Sequence, residues 1–149
     1  MPPYEGSKEF QKLKSLVGKW TGTMKMGDNN VEFAAEYRLV SNGTAIQESL
    51  FAGTPKEMIT MYHDKSGKLG LTHYCAMGNQ PSMILKGSED KSLVFDFDPS
   101  CGIDAAKETH MHALKLTFVD ADTLEHDWTL YQEGKPGGMH PFTLKRVKE

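Results

Sequence analysis

The chain has 149 residues, of which 25% are charged and 38% apolar, and a formal net charge of −3 with the histidines neutral. That is the size of one domain able to bury a core without staples, and the balance lacks the basic excess that would draw nucleic acid or an acidic membrane. No apolar run approaches the roughly 18 residues of a membrane span.

In chain order, residues 7–17 predict the only helix, with Phe10, Leu13 and Val17 on one side, lysines and Gln11 on the other, and Gly18 to stop it. From there the period changes to two. Trp20 to Met26 reads as a strand, Gly27-Asp28-Asn29-Asn30 as a turn, and residues 31–39 as a strand with Val31, Phe33, Ala35, Tyr37 and Leu39 on one face. Strands follow at 44–51, 58–63, 68–75, 83–86, 93–98, 110–118, 123–132 and 139–147, separated by glycine-, proline- and aspartate-rich turns. About ten short strands without helical crossovers predict an all-β antiparallel meander. So many twisted strands are best served by closing into an up-and-down barrel, which leaves no edge exposed. The expected organisation is one domain over residues 1–149, with the barrel over 19–147.

The alternation also places polar side chains where a barrel buries its core. His110 and His112 fall in phase with Leu114, Leu116 and Phe118. His73 and Cys75 share a face with Leu69 and Leu71, His126 with Leu124, Trp128 and Leu130, and His140 with Phe142 and Leu144. Glu48 aligns with Ile46 and Leu50, and Tyr37 is a nearby hydrogen-bonding partner. Residues 58–63 fit two phases, one turning Met61 and His63 inward and the other Met58 and Tyr62.

A buried carboxylate and several imidazoles need partners. A shared ion would supply one: His110, His112, His126 and His73 with Glu48 would suit a divalent transition metal such as Zn, Fe, Mn, Ni or Cu. His140, Tyr37, Trp128 and Cys75 would line a ligand site, and Asn79 and Gln80, in the turn Thr72-His73-Tyr74-Cys75-Ala76-Met77-Gly78-Asn79-Gln80-Pro81, would sit at its mouth. A single inward histidine reads first as a hydrogen-bonded core residue, and one β-bulge would turn it outward. It is the grouping of five of the six histidines with Glu48 that sets a metal or ligand pocket level with that reading.

The stretch Leu16-Val17-Gly18-Lys19-Trp20-Thr21-Gly22-Thr23, after a short helix and opening a meander, resembles the Gly-x-Trp start of the calycin barrels, which include lipocalins, fatty-acid-binding proteins and nitrobindins. Tyr37-Arg38-Leu39, Asn42-Gly43, Thr44 to Glu48 and Tyr62-His63-Asp64 are similar to the bacterial DUF1579-type lipocalin-like proteins. The resemblance implies a ten-stranded barrel with a ligand in its cavity. Nitrobindins hold haem through a late-strand histidine, for which His126 and His140 are the matching positions, although Met24-Lys25-Met26 replaces their glycine-rich continuation. Gly18 and Trp20 read as structural, one stopping the helix and the other plugging the barrel.

The expected function is therefore a small-molecule-binding barrel with a histidine-lined interior for a metal ion or a small planar or apolar ligand. The alternatives are a metal-dependent or histidine acid–base enzyme acting on a small organic substrate, and a haem-binding nitrobindin-like protein. Cys75 and Cys101 match no metal or redox spacing and are expected reduced. The start of the chain lacks the basic and apolar regions of a signal peptide, which favours the cytoplasm unless a signal has been removed. A homodimer stays open.

Overall fold

The computed structural model describes residues 3–148. Helix α1 (Lys8–Lys14) precedes ten strands: β1 (Gly18–Met26), β2 (Asn29–Val40), β3 (Ala45–Leu50), β4 (Met58–Lys65), β5 (Lys68–Tyr74), β6 (Ser82–Glu89), β7 (Ser92–Phe97), β8 (His110–Asp120), β9 (Thr123–Gln132) and β10 (Lys135–Arg146). Each strand pairs antiparallel with its sequence neighbours and β10 returns to β1, so the sheet is a closed up-and-down barrel. None of the described helices is long and apolar enough to cross a membrane.

Helix α1 closes one end. The Ser7 hydroxyl accepts the Phe10 N–H as N-cap, and Phe10 and Leu13 are buried in the barrel core. The helix is shorter than the periodicity predicts. After Lys14 the chain tightens, with the N–H groups of Leu16 and Val17 donating to the carbonyls of Leu13 and Lys14. That tighter turn brings Leu16 inward and leaves Val17 exposed, reversing the expectation for Val17.

Trp20 is buried, its indole N–H donating to the Leu16 carbonyl at 2.8 Å. The Arg146 guanidinium lies over its ring at 4.5 Å and donates to the carbonyls of Ser15, Val17 and Ala121. One side chain thus ties the last strand to the helix exit and to the β8–β9 turn. Gly18 has φ of 138°, and a Cβ there would press on Arg146. Its structural role is to let the chain turn beneath this clamp.

Gly22 has a different task. It pairs with Phe33 across β1 and β2, and a Cβ at that position would occupy the space of the Phe33 ring. That ring stacks on Phe51 at 4.3 Å and meets Phe142 edge-on at 5.2 Å. Gly22→Ala is expected to displace Phe33 and destabilise the barrel by about 1–3 kcal/mol, measured by urea unfolding; an unchanged midpoint would mean the ring is not held there.

Strand β8 carries the main departure from simple alternation. Its register against β9 slips between Met111 and Ala113, so His112 is an extra residue in the ladder. Beyond the slip, Leu114 and Leu116 face Trp128 and His126, whereas His110 faces Tyr131 and Met111 faces Leu130. His110 and His112 are therefore out of phase with Leu114, Leu116 and Phe118, and it is Met111 that points with the core residues. The expectation that both histidines share the face of Leu114, Leu116 and Phe118 is corrected by this one-residue bulge, while burial holds, with His110 fully buried and His112 half-buried.

Candidate functional site

The cross-strand register brings one polar row around the inside of the wall. Tyr37 on β2 lies opposite Glu48 on β3, Glu48 opposite Thr60 on β4, and Thr60 opposite His73 on β5. Each falls on its strand's inner face, and all four are buried. Residues 58–63 thus adopt the phase that turns Met58, Thr60 and Tyr62 inward and leaves His63 exposed. From across the barrel, His126 on β9 completes the group and is fully buried.

The hydrogen bonds within this group have an assignable direction. The indole N–H of Trp128 can only donate, and it meets His126 Nδ1 at 3.1 Å, so that nitrogen is the acceptor. In neutral His126 the proton is then on Nε2, 2.9 Å from the Tyr37 hydroxyl oxygen and 3.5 Å from Glu48 Oε2. Tyr37 donates in turn to Glu48 Oε2 at 2.6 Å, and Tyr62 donates to the same oxygen at 3.0 Å. Every polar hydrogen runs toward Oε2. Oε1 of Glu48 is sealed from solvent and has no partner.

Burial dominates the electrostatics. Desolvation pushes the Glu48 carboxyl up to about 7, against the opposing pull of hydrogen bonds from Tyr37 and Tyr62 and of the nearby Thr60 hydroxyl. It pushes His126 down to about 3, helped by His73, and His73 itself down to about 4. Both phenols are held well above their ordinary value, by burial first and then by the adjoining carboxyl. At neutral pH both imidazoles are uncharged and the carboxyl is poised between its two forms.

Above this network, at the end opposite α1, is a cavity of about 190 Å³. Met24, Leu50, Met58 and Met111 form much of its wall, with the rings of Phe51, Trp128 and Phe142. Its two imidazoles are His73 and His140. His140 pairs with Trp128 and is exposed at the rim, while His73 is buried with its ring 4.5 Å from that of Trp128. His73 Nδ1 is 2.8 Å from the Thr60 hydroxyl. Its Nε2 has no protein partner among the described residues and is not sealed off, unlike Glu48 Oε1. Next to the cavity, β1 and β10 pair only from Trp20–Thr23 to Thr143–Arg146. A cleft of about 270 Å³ opens along that seam, bounded by the same Met24 and Phe142.

His110 and His112 form a separate pair. His110 Nδ1 donates to the Glu108 carbonyl at 2.7 Å, so its Nε2 accepts from His112 Nδ1 at 2.8 Å. His112 is stacked on Tyr131 at 3.6 Å and on Phe97 at 4.8 Å, with Nε2 3.9 Å from Asp96. Burial lowers the pKa of His112, its neighbour His110 adding to the effect and Asp96 opposing it. Asn79 and Gln80 do not border the cavity: Asn79 donates to the Thr109 carbonyl and Gln80 to that of Gly78, which braces the β5–β6 turn. Cys75 lies just past the end of β5 in that turn, half-buried, and both it and Cys101 are unpaired thiols.

The five proposed metal ligands are thus split, with His73, His126 and Glu48 inside the wall and His110 and His112 out of phase with them. No three His, Cys, Asp or Glu side chains among the described residues are placed to share an ion. Both nitrogens of His126 are committed to Trp128 and Tyr37, which leaves no lone pair for one. Of the two histidines matched to a haem ligand, His126 has both nitrogens engaged and His140 is exposed at the rim of the cavity. Sequence reasoning missed Thr60 and Tyr62; their one signal was the second phase of residues 58–63.

A closed ten-stranded barrel with one capped end and a small cavity at the other is the class of protein these features define. Two solved structures share the architecture. One is a protein of unknown function from the DUF3598 family of Nostoc punctiforme, with a TM-score of 0.58 at 12% identity over 99% of this chain and 51% of that one. This chain therefore spans about half the length of the Nostoc protein. The other is the Rv2717c protein of M. tuberculosis, with a TM-score of 0.52 at 16% identity over 97% of this chain and 100% of that one. No protein-family model matches the sequence, and no curated protein is similar to it in sequence.

Proposed function

We propose that the protein is a small-molecule-binding barrel of the calycin, lipocalin-like kind, taking a ring-sized, mainly apolar ligand into the cavity opposite α1. The observation that carries this reading is the cavity itself: about 190 Å³ of space with a thioether and aromatic wall and one buried, uncharged imidazole at its floor. An apolar cavity of about 150 Å³ is enough to hold benzene. Methionines suit such a wall because their flexible, polarisable side chains adapt to what they enclose. The DUF1579-type resemblance and the barrel architecture support the same reading.

The test uses toluene as probe and methyl-labelled methionine as reporter. Titration is expected to shift the methyl resonances of Met24, Met58 and Met111, which border the cavity, and to leave those of the exposed Met26 and Met139 in place. Absence of any shift, or shifts spread evenly over all methionines, would overturn the reading.

A further inference from the structure

The cavity floor is connected to the buried carboxyl. His73 Nε2 is the nitrogen left open to the cavity, Nδ1 is held by the Thr60 hydroxyl, and Thr60 stands directly across the β3–β4 ladder from Glu48. Glu48 Oε2 already accepts two phenol hydroxyls, so its other oxygen, Oε1, is the one in need of a donor. A hydroxyl has a single hydrogen to give. Beside an ionised Glu48, the neighbouring Thr60 hydroxyl would turn that hydrogen toward the carboxylate, whose Oε1 has no other donor. The Thr60 oxygen is then free to accept from His73 Nδ1–H, and Nε2 is left as a bare acceptor.

We propose that Glu48, acting through the Thr60 hydroxyl, fixes the tautomer that His73 presents to the cavity, so that the barrel selects a small aromatic carrying one hydrogen-bond donor, such as a phenol or an azole N–H. The proposal rests on the ligand-binding reading above and names its ligand class. In these terms Glu48 and Thr60 are positioning residues, and His73 makes the contact. Replacing Glu48 by Gln inverts the relay. The amide oxygen takes the Tyr37 and Tyr62 hydroxyls, and the amide NH₂ stands at the Oε1 position and donates toward Thr60. The threonine hydrogen then turns to His73 Nδ1, and the imidazole proton moves to Nε2. The cavity would now favour an acceptor.

The experiment compares phenol and benzonitrile, two monosubstituted benzenes of similar size, by calorimetry at pH 8.5 against wild type, Glu48→Gln and Thr60→Val. Wild type is expected to bind phenol about tenfold more tightly than benzonitrile, the worth of one matched hydrogen bond. Glu48→Gln should reverse that order, and Thr60→Val should bring the two probes within about threefold of each other. In parallel, ¹⁵N shifts of the His73 ring read the tautomer without ligand, with Nε2 bare in wild type and protonated in Glu48→Gln. Phenol preference that survives Glu48→Gln, or a His73 tautomer unchanged by it, overturns the relay and leaves the cavity reading intact. Binding of neither probe by wild type overturns the cavity reading, and the ¹⁵N shifts still decide the relay.

Discussion

Glu48→Ala is expected to unfold the barrel on the order of 10 °C below wild type, whereas Glu48→Gln stays close to wild type at pH 6. The carboxyl is fully buried and its Oε2 accepts hydrogen bonds from both Tyr37 and Tyr62. Alanine would leave both phenol hydroxyls without acceptors and His126 Nε2–H with only a stranded Tyr37 oxygen. It would also open a cavity between β2 and β4. Each buried donor left unsatisfied costs about 1–3 kcal/mol, and for a chain of this length each kcal/mol lowers Tm by roughly 2–4 °C. Glutamine keeps the acceptor and the volume. At pH 6 it also replaces a group that is already neutral, because burial pushes Glu48 up to about 7. Calorimetric Tm values for the three proteins at pH 6 decide the matter; equal losses for Ala and Gln would mean that the network does not hold the fold.

Stability is expected to peak near pH 6.5 and fall on both sides, from three buried groups acting in opposite senses. His73 and His126 are depressed from the ordinary 6.5 to about 4 and about 3. Their contribution is present above pH 6.5 and is lost as pH falls toward those values. Glu48 is raised from the ordinary 4.5 to about 7. Its contribution is present below pH 4.5 and is lost as pH rises through 7. Between 4.5 and 6.5 the unfolded chain therefore holds both histidine protons while the folded one holds only that of Glu48. The difference is about one proton, and stability rises with pH. Between 6.5 and 7 only Glu48 differs, and the slope reverses.

His112, also lowered, adds to the acid side. The lowered aspartates Asp64, Asp98, Asp120 and Asp122 act below this window, and Tyr37 and Tyr62 act above pH 10. In Glu48→Gln the alkaline fall should vanish and the acid slope should steepen to about two protons. Urea midpoints measured from pH 4.5 to 8 test this. A wild-type profile rising monotonically through 7 would show that Glu48 is ionised in the folded protein throughout.

Much of the fold is written in short-range pattern. Period-two alternation between turn residues is a property of neighbouring side chains, so all ten strands were legible with ends displaced by a few residues. So were the inward phases of Tyr37, Glu48, His73, His126 and Trp128, because none of their strands is bulged at those positions. The helix end was misplaced because Leu16 is drawn inward by a tightened turn and by the bond from Trp20, both set by the barrel it caps.

Other features depended on how strands sit beside one another. Alternation within a strand cannot register an extra residue opposite a partner, and for that reason the His112 bulge put the most conspicuous histidine pair in the sequence out of phase with Leu114, Leu116 and Phe118, although His110 is still fully buried. Nor does one strand's phase say which residues stand level on the next. That Tyr37, Glu48, Thr60 and His73 form a single row, with His126 reaching them from the far wall, is decided by the closed barrel's register. The sequence by itself determined that carboxyl and imidazole groups would be buried. Only the tertiary structure decided that they partner one another, because hydrogen-bond partners are chosen by distances across strands that the chain visits far apart.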